Sequence, residues 1–170
     1  DYCLCNIPLS VLTNIPADFT SEMQEAISNI DYVSTGKIGL QFSRRFWEED
    51  ENIFGGSTRT NNSKIGDIHY YAYNFLGDKG IIQGYYNFGT DALEISSLSM
   101  QERIDFALDY GSRIHPQYRD TFETGFSVAW HRVPYSLGGW PGYTQATREF
   151  YYPRLLHPDG RVYLVGEHLS

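Results

Sequence analysis

Apolar side chains recur along this chain at two spacings, every second residue and every third or fourth, and the switches between them mark its elements. From Gly36 to Phe42, Ile38, Leu40 and Phe42 alternate with Lys37, Gly39 and Gln41. That predicts a strand with two unlike faces and turns Lys37 away from the side of Ile38 and Leu40. Ile68 to Phe75 and Gly80 to Phe88 are rich in aromatic residues and joined by Leu76-Gly77-Asp78-Lys79, so they read as an antiparallel hairpin. Tyr2 to Ile7 reads as a strand stopped at Pro8, which has no N–H for a ladder. Thr121 to Trp130 reads as a further strand and Val162 to Val165 as a short buried one. Helical spacing occurs twice. Ser21 and Gln24 have capping-box spacing beside Met23, Ala26, Ile27 and Ile30, which predicts a short helix to Asn29. Ser99 and Glu102 repeat that spacing ahead of Ile104, Ala107, Leu108, Gly111 and Ile114, which predicts a helix closed by His115-Pro116. Phe54 to Thr58, Asn61 to Ser63, and the Gly-, Pro- and Tyr-rich stretch up to Tyr152 read as turns and loops. Strands mixed with two helices give an α+β or α/β core.

Composition adds that this core is well supplied. The 170 residues are one ordinary domain's worth, 41% hydrophobic, with 14 Tyr, 10 Phe and 3 Trp, which is the make-up of a folded chain rather than a disordered one. Thirteen basic against 21 acidic residues leave a net charge of −8, and no cationic run exceeds Arg44-Arg45. Nucleic acid and anionic membrane surfaces are therefore not expected as partners. No stretch approaches the roughly 20 apolar residues of a membrane helix. Cys3 and Cys5 are too few for a disulfide scaffold, share one strand face and are expected to be buried thiols. The chain opens at Asp1 directly into one strand-like run and stops at Ser170 just after another, so a piece of a longer protein is expected. Asn61-Asn62-Ser63 has glycosylation-acceptor spacing, which matters only for a secreted protein.

The common chemical signatures are missing. His69, His115, His131, His157 and His168 never fall three or four residues apart, and there is no Cys-x-x-Cys, so no metal site is expected. Neither a G-x-S-x-G elbow, a Walker loop nor a G-x-G-x-x-G cradle occurs. Four segments carry information instead. Thr35 to Phe42 places a lysine in an apolar strand, followed by Arg44-Arg45-Phe46-Trp47-Glu48; the plain alternative is a solvent-facing lysine. Tyr86-Asn87-Phe88-Gly89-Thr90-Asp91-Ala92 ends an aromatic strand in a glycine turn. Trp130 to Trp140 sets Gly138-Gly139 among large aromatics, where a backbone can approach a flat ligand closely. Val162 to His168 is a strand ending in Gly166-Glu167, as where a strand's carboxyl end meets a nucleotide.

In this order the segments resemble the flavin-dependent amine oxidases, over nearly the whole chain. Asp1 to Leu12 resembles the strand leaving the FAD domain, with Asn6 where Thr is usual. Lys37-Ile38 through Phe46-Trp47 resembles the family's K-I-x-L-x-F segment ending in Phe-Trp, and Trp130 through Trp140 its W-x-x-x-P-Y-S-x-G-x-aromatic segment. Val162 to Ser170 resembles its A-G-E/D-x-x-S close, with Val165 replacing alanine. The Lys37 strand, the Phe54-Gly55-Gly56-Ser57-Thr58 turn and Tyr86 to Ala92 are most like L-amino acid oxidases, whose Y-x-x-G-D-D-A has Thr90 in place of its first aspartate here.

The resemblance implies a FAD enzyme that takes hydride from an amine-bearing carbon. The product is an imine, then a keto acid and ammonia, while O2 is reduced to H2O2. Lys37 matches the lysine that holds a water against the flavin, which suits a positioned cation beside developing negative charge. Trp130 matches the tryptophan packed beside the isoalloxazine, and Gly166 and Glu167 the segment along the ribityl and pyrophosphate. Tyr86 matches a tyrosine that binds the substrate carboxylate, and Trp140 an aromatic walling the substrate cavity. The implied organisation is residues 1–12 as the strand leaving the FAD-binding domain, 13–159 as a mixed-sheet substrate-binding domain with flanking helices and a return segment, and 160–170 as a strand and Gly-Glu turn of the FAD-binding domain. Its partners would be a small amine or amino acid, the remaining segments of the parent oxidase and further copies of itself; the dinucleotide fingerprint is not in this chain, so alone it is expected to be inactive. Two other readings stand beside this one: a polyamine or monoamine oxidase, without a carboxylate anchor, and a flavin-free binding module.

Overall fold

The elements run β1 (Cys3–Cys5), α1 (Leu9–Leu12), α2 (Ser21–Ser28), β2 (Thr35–Phe42), α3 (Phe46–Glu49), β3 (Gly56–Arg59), β4 (Asp67–Tyr70), β5 (Gly80–Phe88), α4 (Gly89–Ser97), α5 (Met100–Ile114), α6 (Tyr118–Thr121), β6 (Phe122–Ala129), α7 (Gln145–Phe150), α8 (Tyr152–Leu155) and β7 (Val162–Leu164). They come from a computed structural model that describes residues 1–170 and divides into two units, residues 35–129 and residues 1–34 with 130–170.

Residues 35–129 build a five-stranded antiparallel sheet in the order β3-β4-β5-β2-β6. The alternation of β2 is realised as expected: Ile38, Leu40 and Phe42 are fully buried, while Lys37, Gly39 and Gln41 are half-buried on the other face. The buried face packs with Ile82, Tyr85, Tyr118, Trp47 and the α5 stripe of Ile104, Ala107 and Leu108. Each large apolar side chain so buried contributes about 1.5–3 kcal/mol. The capping box of Ser99 and Glu102 opens α5. Ile114, expected on the stripe, is 37% exposed, because the chain turns there and His115 goes inward instead. Its two ring nitrogens lie 2.6 Å from the Tyr70 hydroxyl and 2.7 Å from the Glu51 carboxylate.

The expected hairpin is cut short. β4 stops at Tyr70 and residues 71–79 leave the sheet. The cause is a buried ion pair between Arg45 and Glu48, whose outer atoms bind that segment. Arg45 Nη2 donates to the Tyr71 carbonyl at 2.8 Å, and Glu48 Oε2 accepts from the Leu76 N–H at 2.9 Å. Further along the chain, the glycine expected to end β5 in a turn opens α4 directly, with a φ of +57° at Gly89.

In the unit of residues 1–34 and 130–170, β1 and β7 pair in parallel, Cys3 with Val162 through Cys5 with Leu164. Leu9, Leu12, Met23, Ala26, Ile27, Leu155 and Leu164 form the core beside them. The N-cap of α2 is Thr20, not Ser21: its hydroxyl accepts from the Met23 N–H, and Gln24 donates to the Phe19 carbonyl. Asp159 decides this, since its carboxylate accepts from the Thr20 N–H at 2.7 Å. The stretch read as a loop up to Tyr152 contains α7, capped by Thr144 and Thr147. Cys5 is buried as expected but Cys3 is exposed, at the open end of the strand.

Candidate functional site

The sheet of residues 35–129 has one packed face and one face that carries Lys37. Opposite Lys37 stand Tyr86 on β5 and Val128 on β6. Strict alternation from Ile82 would have sent Tyr86 to the packed side. The register shifts instead between Ile38 and Gly39, which pair with Tyr85 and Gln83 and leave Gly84 as an extra residue. Such a bulge reverses which face the following side chains take. Glycine is needed there, because a Cβ on Gly84 would lie 2.8 Å from Leu40 Cδ1 and 3.2 Å from Ile38 Cγ2. As a result Tyr85 enters the core, where its hydroxyl meets Ser127 at 2.7 Å, and Tyr86 turns to the lysine.

Lys37 Nζ sits 4.1 Å from the centre of the Tyr86 ring, a cation–π contact. Phe88 packs its edge on that ring at 4.5 Å, and burial raises the Tyr86 phenol above its ordinary pKa. The other residues of β2, β5 and β6 in register along this face are neutral, Gly39, Gln83 and Phe126, then Gln41, Ile81 and Thr124, and His69 of β4 stands opposite Gln83. Glu123, near Gln41, is already paired with Lys79 at 2.5 Å. Lys37 therefore presents a charge on a half-open face with no carboxylate beside it. At the same end of β2, a Cβ on Gly36 would fall 2.6 Å from Asn87 Oδ1, so the residue before Lys37 must be glycine.

The other four expected site residues lie in the second unit and are described within it. Trp130 opens a short 3-10 turn and is 37% exposed. Its carbonyl accepts from the Gly138 N–H at 3.2 Å, closing the loop that also carries Trp140. The Trp140 carbonyl accepts from Val33, and Gly139 donates to Val33. Gly138, expected to let backbone approach a ligand, is required by Tyr32: its φ is +152°, and a Cβ there would run into the tyrosine's own Cβ. Gly166, with φ +118°, follows β7, and a Cβ on it would overlap Asn6 Oδ1. Because β1 and β7 are parallel, Asn6 and Gly166 stand together beyond their carboxyl ends, where nucleotides bind in open α/β sheets. Desolvation raises the Glu167 carboxyl from its usual value. The turn is pinned from α8 and the segment before α7: the Tyr143 hydroxyl donates to the His168 carbonyl at 2.8 Å and Tyr152 to the Leu169 carbonyl at 2.9 Å. Burial pushes the Tyr143 phenol up to about 12, so it stays a donor across the physiological range. Neither tyrosine was singled out in the sequence, where the stretch read only as an aromatic loop.

Comparison with known proteins gives the family. Residues 1–170 match the family described as flavin containing amine oxidoreductase. The chain is 32% identical over its full length to YobN of Bacillus subtilis, provisionally named an L-amino-acid oxidase, and covers 36% of that protein. To the L-amino-acid oxidase of Siganus canaliculatus it is 33% identical over 86% of the chain and 28% of that protein. To the flavin-dependent L-tryptophan oxidase RebO of Lentzea aerocolonigenes it is 29% identical over its full length and 37% of that protein. In fold, 99% of the chain matches 37% of putrescine oxidase bound to putrescine, with a TM-score of 0.82 at 15% identity. Cyclohexylamine oxidase from Brevibacterium oxydans matches over the same shares, with a TM-score of 0.85 at 14%. The chain belongs to the flavin-containing amine oxidoreductases, an oxidoreductase family whose cofactor is FAD, and spans about a third of the length of these relatives.

Proposed function

We propose that this chain is the substrate-binding part of a FAD-dependent L-amino acid oxidase, with its two ends contributing to the FAD-binding domain. The observation that carries the reading is Lys37, held on an aromatic ring on a half-open sheet face with no acid beside it. A lysine here suits the whole family, so the preference for an amino acid over a polyamine or a simple amine comes from the L-amino-acid oxidases among the relatives, 32% and 33% identical, and from Tyr86, which stands opposite Lys37 where it could donate to a carboxylate.

When bound, FAD would supply a two-electron acceptor for the hydride of the amine-bearing carbon, with O2 as the final oxidant giving H2O2 and water hydrolysing the imine to keto acid and ammonia. The residues present fit such a group, since the Gly166 turn, packed against the Asn6 side chain, leaves bare backbone beyond two parallel carboxyl ends. Gly166 and Glu167 would hold the ribityl and pyrophosphate segment, the glutamate accepting from hydroxyls. Trp130 would pack beside the ring system. Lys37 would hold a water and stabilise negative charge near it. Tyr86 would donate to the substrate carboxylate, and Trp140 would wall the side-chain cavity. By this reading residues 1–12 and 160–170 serve the FAD-binding domain and residues 13–159 the substrate-binding domain.

The test uses the full-length parent. Lys37→Met should slow flavin reduction or reoxidation markedly with little loss of bound FAD; unchanged kinetics would remove the role assigned to Lys37. An amino acid should be oxidised and its decarboxylated amine should not, because the amine lacks the anchoring group. Oxidation of both at similar kcat/KM would favour the amine oxidase reading instead.

A further inference from the structure

Lys37 is a long, flexible side chain, and a cation that must hold one water needs something to fix it. No carboxylate does so. The group in place is the ring of Tyr86, directly opposite in the antiparallel register, with the ammonium 4.1 Å over its centre. That ring is itself braced by Phe88 at 4.5 Å. Both tyrosine and phenylalanine reach this face only because the bulge at Gly84 reverses the alternation after Gln83.

We propose that Tyr86 is a positioning residue for Lys37: its ring face, turned to the lysine by the Gly84 bulge, holds the ammonium in one place. The inference rests on the reading of Lys37 given above and separates two parts of one side chain. The hydroxyl would serve the substrate carboxylate, while the ring serves the lysine. Removing the hydroxyl and removing the ring therefore have different consequences. Tyr86→Phe loses the first function and Tyr86→Leu loses both.

The experiment compares Lys37→Met, Tyr86→Phe, Tyr86→Leu and the Lys37→Met/Tyr86→Leu pair in the flavin-loaded full-length protein, with flavin content and thermal unfolding checked for each. Tyr86→Phe should raise KM for the amino acid and slow the Lys37-dependent flavin step less than Tyr86→Leu does, because its ring still holds the ammonium. Tyr86→Leu should slow that step by about 3- to 30-fold, the range of a partly desolvated cation–π contact. In the Lys37→Met background Tyr86→Leu should slow it no further, since two residues acting as one unit are not additive. A second readout needs no turnover. After reductive 13C-dimethylation, the lysine signal that disappears in Lys37→Met should be displaced by the Tyr86 ring current, kept in Tyr86→Phe and shifted back in Tyr86→Leu. Additive rate effects, or a Lys37 signal indifferent to Tyr86→Leu, would overturn the proposal. If Lys37→Met alone left the flavin kinetics unchanged, the functional reading of Lys37 would fall, and the ring-current comparison would still decide whether Tyr86 holds the ammonium.

Discussion

Arg45 and Glu48 form an ion pair whose side chains are 2% and 0% exposed, placed where neither charge can reach water. Such a pair is costly to bury, and its remaining hydrogen-bonding atoms must be used; here they hold Tyr71 and Leu76. Breaking one partner strands the other. Glu48→Gln should cost about 3–5 kcal/mol, a fall in Tm of roughly 10 °C for a chain this size, whereas Arg45→Met with Glu48→Leu should cost much less. Thermal unfolding decides it, and a loss below about 1 kcal/mol in Glu48→Gln would mean that the pair is not structural. Hydrogen bonding to Arg45 holds the Glu48 carboxyl below its usual value. A carboxyl lowered in the folded state contributes stability above its unfolded pKa, about 4.3, and loses it as pH falls through the lower folded value. Unfolding followed downward from neutral pH should therefore show an acid-side loss that is shallower in the double variant. None of this was legible in the sequence, where Arg45 and Glu48 stood out only as neighbours of Phe46-Trp47. Lys37 was legible in its orientation, because alternation alone turns it from the core. Tyr86 was not, because one extra residue at Gly84 reverses the count.

Helices with side-chain signals at their ends were the easiest elements to read. The Ser99–Glu102 box and the stripe behind it specify α5 locally, and tertiary contacts only confirm it. α7 was missed because its cap pairs Thr144 with Thr147 rather than with the usual Glu or Gln. Strand ends were the hardest, since β4 is stopped by Arg45 and Glu48, at and within the start of α3, which no local pattern announces. Gly111, inside α5, sets two effects against each other. Replacing a mid-helix glycine by alanine gains roughly 1 kcal/mol in propensity. A Cβ at Gly111 would, however, enter the ring of Tyr118, which is fully buried and cannot swing away. Overpacking costs typically 1–3 kcal/mol, so the clash wins. Gly111→Ala should lower Tm by several degrees, and Tyr118→Leu should relieve the penalty when combined with it. A stabilised Gly111→Ala would show that α5 can shift away from Tyr118.

A two-stranded parallel sheet is an uncommon structure to find with a face uncovered, since parallel strands are normally buried on both sides. On β1 and β7 the register partners Leu4 and Tyr163 are 71% and 38% exposed, and Tyr2, on the same face, is 74% exposed. Three large apolar side chains on one face describe a surface meant for further strands. The chain spans about a third of its relatives' length, and under the proposed function the strands that cover this face are those of the FAD-binding domain. That β1 and β7 are strands was legible in the sequence; their exposure was not, because it depends on what packs over them. Cys3 gives the measurement. It is exposed in the 170-residue chain while Cys5 is buried, so a thiol reagent should modify one cysteine quickly and the other only on unfolding. In the full-length protein with FAD bound, the strands that cover β1 should slow modification of Cys3 by at least tenfold, because reaction then requires local opening. Equal rates in the chain and the whole protein would mean that β1 remains an edge open to solvent, and residues 1–12 would then not belong inside the FAD-binding domain.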